Sequence, residues 1–168
     1  ILPLDVKTNR TPLSRARPPR ATMADMRLDH LSYAAGPDGL AGTAQRIGGL
    51  LGREFTDGGV HPRFGTRNMT LPLANHTYLE IVEVLDHPAS DKAPFGQAVR
   101  ARSALGGGWL GWVVGVDDLT PIEQRLGREA APGNRFRPDG TELQWRQIGV
   151  QVEHAPRLRG LGRDHAQW

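Results

Sequence analysis

Apolar residues recur along this chain with two periods, and the changes of period mark its elements. Leu28-Asp29-His30-Leu31-Ser32-Tyr33-Ala34-Ala35 is a β-prone run ended by Gly36-Pro37, which predicts a strand. Leu40, Ala44, Ile47 and Leu51 follow at helical spacing, an amphipathic stripe that predicts a helix over about 38–52, ended by Gly52. Asp57 to Gly65 is broken by glycines and Pro62 and reads as a loop. Asn68 to Leu73 and Thr77 to Leu85 read as two strands joined by a tight turn at Ala74-Asn75-His76. A connector over 86–108 carries a short helix around Phe95 and Val99 and closes on Gly106-Gly107-Gly108. The pattern then restarts, with a strand from Leu110 to Val116 and a helix over about 118–128 bearing Leu119, Ile122 and Leu126. Pro121 falls in the first turn of that helix, where a missing N–H costs nothing. A turn at Pro138-Asp139-Gly140 leads into a last strand, Glu142 to Val150.

Each half therefore reads strand, helix, loop, strand. Leu51-Gly52-Arg53-Glu54 ends the first helix and Leu126-Gly127-Arg128-Glu129 ends the second, so the same four-residue sequence stands at equivalent structural points. That points to internal duplication and to an α+β fold of two βαβββ modules, each making a half-barrel sheet. Module one spans 27–86, the connector 87–108 and module two 109–150. After residue 150, Ala155-Pro156-Arg157 interrupts the expected last strand of module two, and 151–168 reads as an irregular tail. Either Glu153 stands on that strand, or the strand is missing or replaced.

Length and composition fit this picture. The 168 residues, 38% hydrophobic, suit one domain of about 26–150. Residues 1–25 hold Pro3, Pro12, Pro18 and Pro19 without periodicity and read as a disordered basic tail. The tail has five basic groups against two acidic, whereas the rest of the chain is balanced at sixteen of each. A neutral body argues against a nucleic-acid groove. No apolar run reaches the ~18 residues of a membrane helix, and the apolar core of a secretory signal is absent, so the expectation is a cytoplasmic protein. The absence of cysteine excludes a disulfide framework, a thiolate metal site and a cysteine nucleophile. Ser-His-Asp order, a phosphate loop and HExxH are absent as well.

Among candidate functional residues, Glu80 shares a strand face with Tyr78, Val82 and Val84. A carboxylate on such a face costs several kcal/mol to bury unless paired or coordinated, so it either has a partner or sits at an edge that reaches water. His61, Arg63, Arg67 and Asn68 lie on the loop and the strand it enters, where arginine donors could take an anionic or carbonyl ligand. The alternative is a solvated turn. Trp109, Trp112 and Trp145 are either an aromatic wall for a ligand or core filling.

Leu28-Asp29-His30-Leu31, Gly65-Thr66-Arg67-Asn68, Tyr78-Leu79-Glu80-Ile81 and Trp112 to Leu119 together resemble the glyoxalase-like domains of the vicinal oxygen chelate superfamily, over about 27–150. The resemblance implies that the paired modules form a cup of mixed sheet. It implies His30 and Glu80 as ligands of a divalent metal (Zn, Ni, Mn or Fe), with Glu80 also the catalytic carboxylate. His61, Arg67, Asn68, Trp112 and Trp145 are the expected contacts to a small oxygenated molecule, and a homodimer is expected by the same resemblance. Two activities follow from it: metal-assisted isomerase or lyase chemistry, or metal-free sequestration as in bleomycin-resistance proteins. The second gains from module two, where the place of His30 falls at Gly111 or Trp112.

Overall fold

The computed structural model describes residues 4–9 and 26–149. Module one comprises strand β2 (Arg27–Ala34), helix α1 (Gly39–Leu51) and strands β3 (Thr56–His61), β4 (Thr66–Pro72) and β5 (Tyr78–Val84). The connector forms α2 (Pro88–Lys92) and α3 (Pro94–Ala104). Module two comprises β6 (Gly108–Gly115), α4 (Thr120–Leu126), β7 (Ala131–Phe136) and β8 (Glu142–Gly149). Both long predicted helices and the repeated strand–helix–strand order are present. Glu153 and His154 lie outside the described residues.

Three strands depart from the sequence reading. Ala131–Phe136, given no element there, is strand β7. Thr56–His61, expected as loop, is strand β3, with a bulge between Asp57 and Gly59 that absorbs the glycines. Leu4–Asn9, expected within a disordered tail, is strand β1. Its backbone pairs parallel with β6 and antiparallel with β8. The eight strands close into a barrel in the order β1-β6-β2-β5-β4-β3-β7-β8. Module one runs β2-β5-β4-β3, with β5 parallel to β2 and antiparallel to β4. Module two repeats that order as β6-β1-β8-β7, so β1 fills the place of its missing fourth strand. Barrel closure leaves neither β6 nor β8 with an open edge.

Alternation along the strands separates two faces. Outward residues Leu31, Tyr33, Met69, Leu71, Leu79 and Ile81 pack with Leu40, Ala44 and Ile47 of α1. Val114 and Ile148 pack outward with Leu119 and Ile122 beside α4. Inward residues Ala34, Val82 and Val84 meet Phe95 and Val99 of α3, so the connector helix plugs one end of the barrel. The interior left between the strands is polar.

The entry to α1 is fixed by Thr43. Its buried hydroxyl donates to Asp38 (2.6 Å) and accepts from the Gly36 N–H (2.9 Å), while Arg46 holds the other Asp38 oxygen. Thr43→Val should cost about 1–2 kcal/mol by orphaning both partners, read as a melting temperature lowered by a few degrees.

Candidate functional site

Period-two alternation carries His30 and Ser32 of β2, Asn68 and Thr66 of β4, and Tyr78 and Glu80 of β5 into the interior. Glu80 is 4% exposed and sits between the Val82–α3 plug and Tyr78. Ser32 donates its hydroxyl to Glu80 Oε2 (2.8 Å), and Asn68 Nδ2 donates to Oε1 (2.6 Å). Burial alone would raise the Glu80 carboxyl, but electrostatic attraction from the His30 and His61 rings as they take up protons and these two hydrogen bonds hold it below the usual range. Glu80 is therefore ionised at neutral pH. Asn68 spends its amide on this bond, and its buried Oδ1 has no partner among the described residues.

His30 faces Glu80, with Nε2 3.6 Å from Oε2. Its Nδ1 lies 2.8 Å from Asp29 Oδ2, a second carboxylate that orients the ring. Burial raises the Asp29 carboxyl, but the His30 hydrogen bond and the charges of Lys7, His30 and Arg27 more than offset this and hold it below its ordinary value. The His30 ring stacks on Tyr78 (4.5 Å between centroids, 18° between planes). Burial, with Glu80 and Asp29 nearby, keeps the Tyr78 phenol well above its ordinary value, so it stays protonated.

His61, at the end of β3, is buried against Phe64 and Trp145 and lies 3.1 Å from Thr66 Oγ1. Burial lowers it to about 4 despite the opposing pull of Glu80, and the charges of Arg135 and Lys7 push the same way. It is neutral at physiological pH. Trp145 of β8 lies over Gly133, where a Cβ would meet the indole at 2.5 Å. Lys7 of β1 places its ammonium 4.2 Å from the Trp145 ring centre and 3.8 Å from Asp29.

The interior thus gathers His30, Glu80, His61, Asn68 and Trp145 of the residues expected from sequence. Arg67 and Trp112 are elsewhere. Arg67 neighbours inward Asn68 and points outward, binding Glu83 through two nitrogens (2.7 and 2.9 Å). Trp112 pairs with outward Leu31 across β2–β6, so it shares that outer face and lies 37% exposed. Trp109 packs edge-on against Tyr33 on the same face. The aromatic wall of the cup therefore reduces to Trp145 and Tyr78. Ser32 and Asp29, which the sequence reading passed over, were legible as the residue two beyond His30 and its immediate neighbour.

At the end opposite α3, a groove of about 730 Å³ opens beside Tyr78, lined also by Thr70, Pro72, Asn75, His76 and Arg135. Tyr78 lines this groove and stacks on His30, so the groove adjoins the His30–Glu80 pair.

His30 and Glu80 fit part of a divalent cation's sphere. With Nδ1 turned to Asp29, Nε2 is the ring atom left facing a Glu80 oxygen, too distant for a direct hydrogen bond. Ligand bonds of about 2.0–2.2 Å from each side would let one cation reach both atoms. Among the described residues, no third His, Cys, Asp or Glu joins them in a metal-binding group.

No helix among the described residues is long and apolar enough to cross a membrane. No curated protein matches the chain. Among solved structures it is similar to the crystal structure of a hypothetical protein from Staphylococcus aureus, with a TM-score of 0.56 and 16% identity. The match covers 77% of this chain and 54% of that one, so the chain spans about half the length of that protein, and the likeness bears on fold. The family model of the glyoxalase-like domain matches residues 28–166, and the chain belongs to that family, within the vicinal oxygen chelate superfamily.

Proposed function

We propose that the barrel interior binds a small oxygenated molecule at the His30–Glu80 pair, together with a divalent cation held by His30 Nε2 and Glu80 Oε2. The observation that carries this reading is the effort spent on Glu80. A fully buried, ionised carboxylate is costly, and Ser32, Asn68 and the Asp29-oriented His30 are all committed to it. A purely structural interior would be served as well by apolar residues of the same volume. A metal there would supply Lewis acidity to substrate oxygens, the setting for isomerase or lyase chemistry. The chain's own groups do the rest. Ser32 and Asn68 fix the carboxylate, Asp29 fixes the imidazole, and neutral His61 is placed to exchange a proton with a bound ligand. Protonated Tyr78 offers its hydroxyl at the entrance.

A second reading, metal-free sequestration, is favoured by module two, where Gly111 stands at the place matching His30 and gives no ligand. Titration of the chelator-stripped protein with Mn²⁺ or Zn²⁺ separates the two. One saturable site per chain is expected, lost in the His30→Ala and Glu80→Gln variants and weakened roughly 10–100-fold by Asp29→Asn. Parent-like binding by both His30→Ala and Glu80→Gln would overturn the site. Small aromatics bound equally well with chelator present would favour the second reading.

A further inference from the structure

We infer that the groove at the open end is an anion-docking subsite, with Arg135 as its anchor for the carboxylate of a small organic acid whose other oxygens reach the His30–Glu80 pair. This deepens the proposed function and rests on it for the inner end of the ligand.

Arg135 lies two residues beyond Gly133, which pairs with Trp145 on neighbouring β8 and has that inward ring over it, so β7 turns the Arg135 side chain to the same face. It lines the groove, and its positive charge is felt by both His61 and Tyr78. Arg27, Arg46, Arg67, Arg100 and Arg146 each hold a carboxylate within ion-pair distance, but no described residue forms a hydrogen bond or ion pair with the Arg135 side chain. A half-buried arginine with no counter-ion among the described residues, lining a groove, is suited to a carboxylate from outside, which it can grip through two parallel N–H bonds.

Asn75 and His76 of the β4–β5 turn share the groove lining with Arg135. Both take left-handed backbone angles (φ of 56° and 60°), as the central residues of a type I′ hairpin turn closed by Thr77 N–H to Ala74 O (3.2 Å) and clasped by Leu73 N–H to Thr77 O (2.8 Å). The lining sets ligand polarity. Arg135 attracts a negative charge, and the Thr70, Asn75 and Tyr78 side chains that share the groove offer hydrogen bonds to neutral oxygens. The class that fits is a small carboxylate with neutral oxygens beyond its charge, such as a 2-oxo or 2-hydroxy acid.

The test uses pyruvate and lactate as probes, with lactamide as the uncharged counterpart. Binding is read by intrinsic tryptophan fluorescence and by calorimetry. The carboxylates should bind more weakly as salt rises, and lactamide about tenfold more weakly than lactate. Arg135→Gln should lose about tenfold in carboxylate affinity and Arg135→Lys less, with unchanged melting temperatures. Arg46→Gln, a surface control on α1, should bind as the parent does. Carboxylate binding that is unaltered in Arg135→Gln, equal affinity for lactamide, stronger binding of inorganic phosphate, or no binding of any probe would each overturn the inference. Mn²⁺ titration of Arg135→Gln separates this failure from that of the inner site. Intact metal binding with Arg135-independent carboxylates sinks the subsite alone, and Arg135-dependent carboxylates without metal binding sink the inner cation alone.

Discussion

Gly59→Ala is expected to destabilise the protein by about 3 kcal/mol or more, read as a lower urea midpoint at unchanged slope. Gly59 has a φ of 99°, a region in which a side chain is strained. A Cβ there would also sit inside the van der Waals radius of the Phe136 carbonyl oxygen and 2.9 Å from its carbon. Neither neighbour is a flexible side chain, so backbone must move, at a further ~1–3 kcal/mol. The place makes this severe. β3 meets β7 through Val60 and Phe136, the joint that closes module one onto module two. Opening it would separate His61, which follows Val60, from Arg135, which precedes Phe136, so ligand binding should fall with stability. Gly49→Ala is the counter-case. It lies in α1 with ordinary φ and nothing within 4 Å of a new Cβ, and should stabilise by roughly 0.5–1 kcal/mol. If Gly59→Ala unfolds at the parent midpoint, the described barrel closure is wrong.

The same glycines explain what the sequence hid. β2, α1, β4, β5, β6, α4 and β8 announce themselves because their apolar residues keep one period against a helix or the plugged end. β3 and β7 do not. Gly58 and Gly59 occupy a bulge, where Gly58 makes room for the Asn68 amide oxygen, and Gly133 lies beneath the Trp145 ring. Punctuation that normally means loop is here the cost of close approach. β1 was hidden for a different reason. Leu4–Asn9 is a short strand whose place is defined by the gap between β6 and β8, a property of the barrel and not of six residues.

The site follows the same logic. His30 and Glu80 were legible from their strands, and the structure brings them together. Arg67 and Trp112 lie on the outer face, which strand parity makes legible. Asn68 faces inward, so adjacent Arg67 cannot, and Trp112 follows the face of Leu31, its partner in register. Arg135 was out of reach, since its face is set by β7 and β7 was unseen.

Acid should weaken the fold through His61 before it reaches the carboxylates. His61 titrates at about 4 in the folded protein, against an ordinary value of 6.5, because burial disfavours its charged form. Above pH 6.5 it is neutral in both states and contributes nothing. Below 6.5 the unfolded chain binds a proton that the folded chain refuses, so stability drops by up to 1.4 kcal/mol per pH unit. The accumulated loss is about 3 kcal/mol by pH 4, after which the folded form also takes the proton. Glu80 acts in a lower window. Its folded value is depressed, so the stability it gives is present above the ordinary carboxylate range and is lost as pH falls through that lowered value. The two steps separate in a His61→Gln variant, which keeps a polar group beside Thr66 but does not titrate. Urea midpoints between pH 7 and 4 should fall less steeply in that variant than in the parent, while the drop below pH 4 remains. Parallel profiles down to pH 4 would mean that water reaches His61, and that the closed interior around Trp145 and Glu80 does not exist as described.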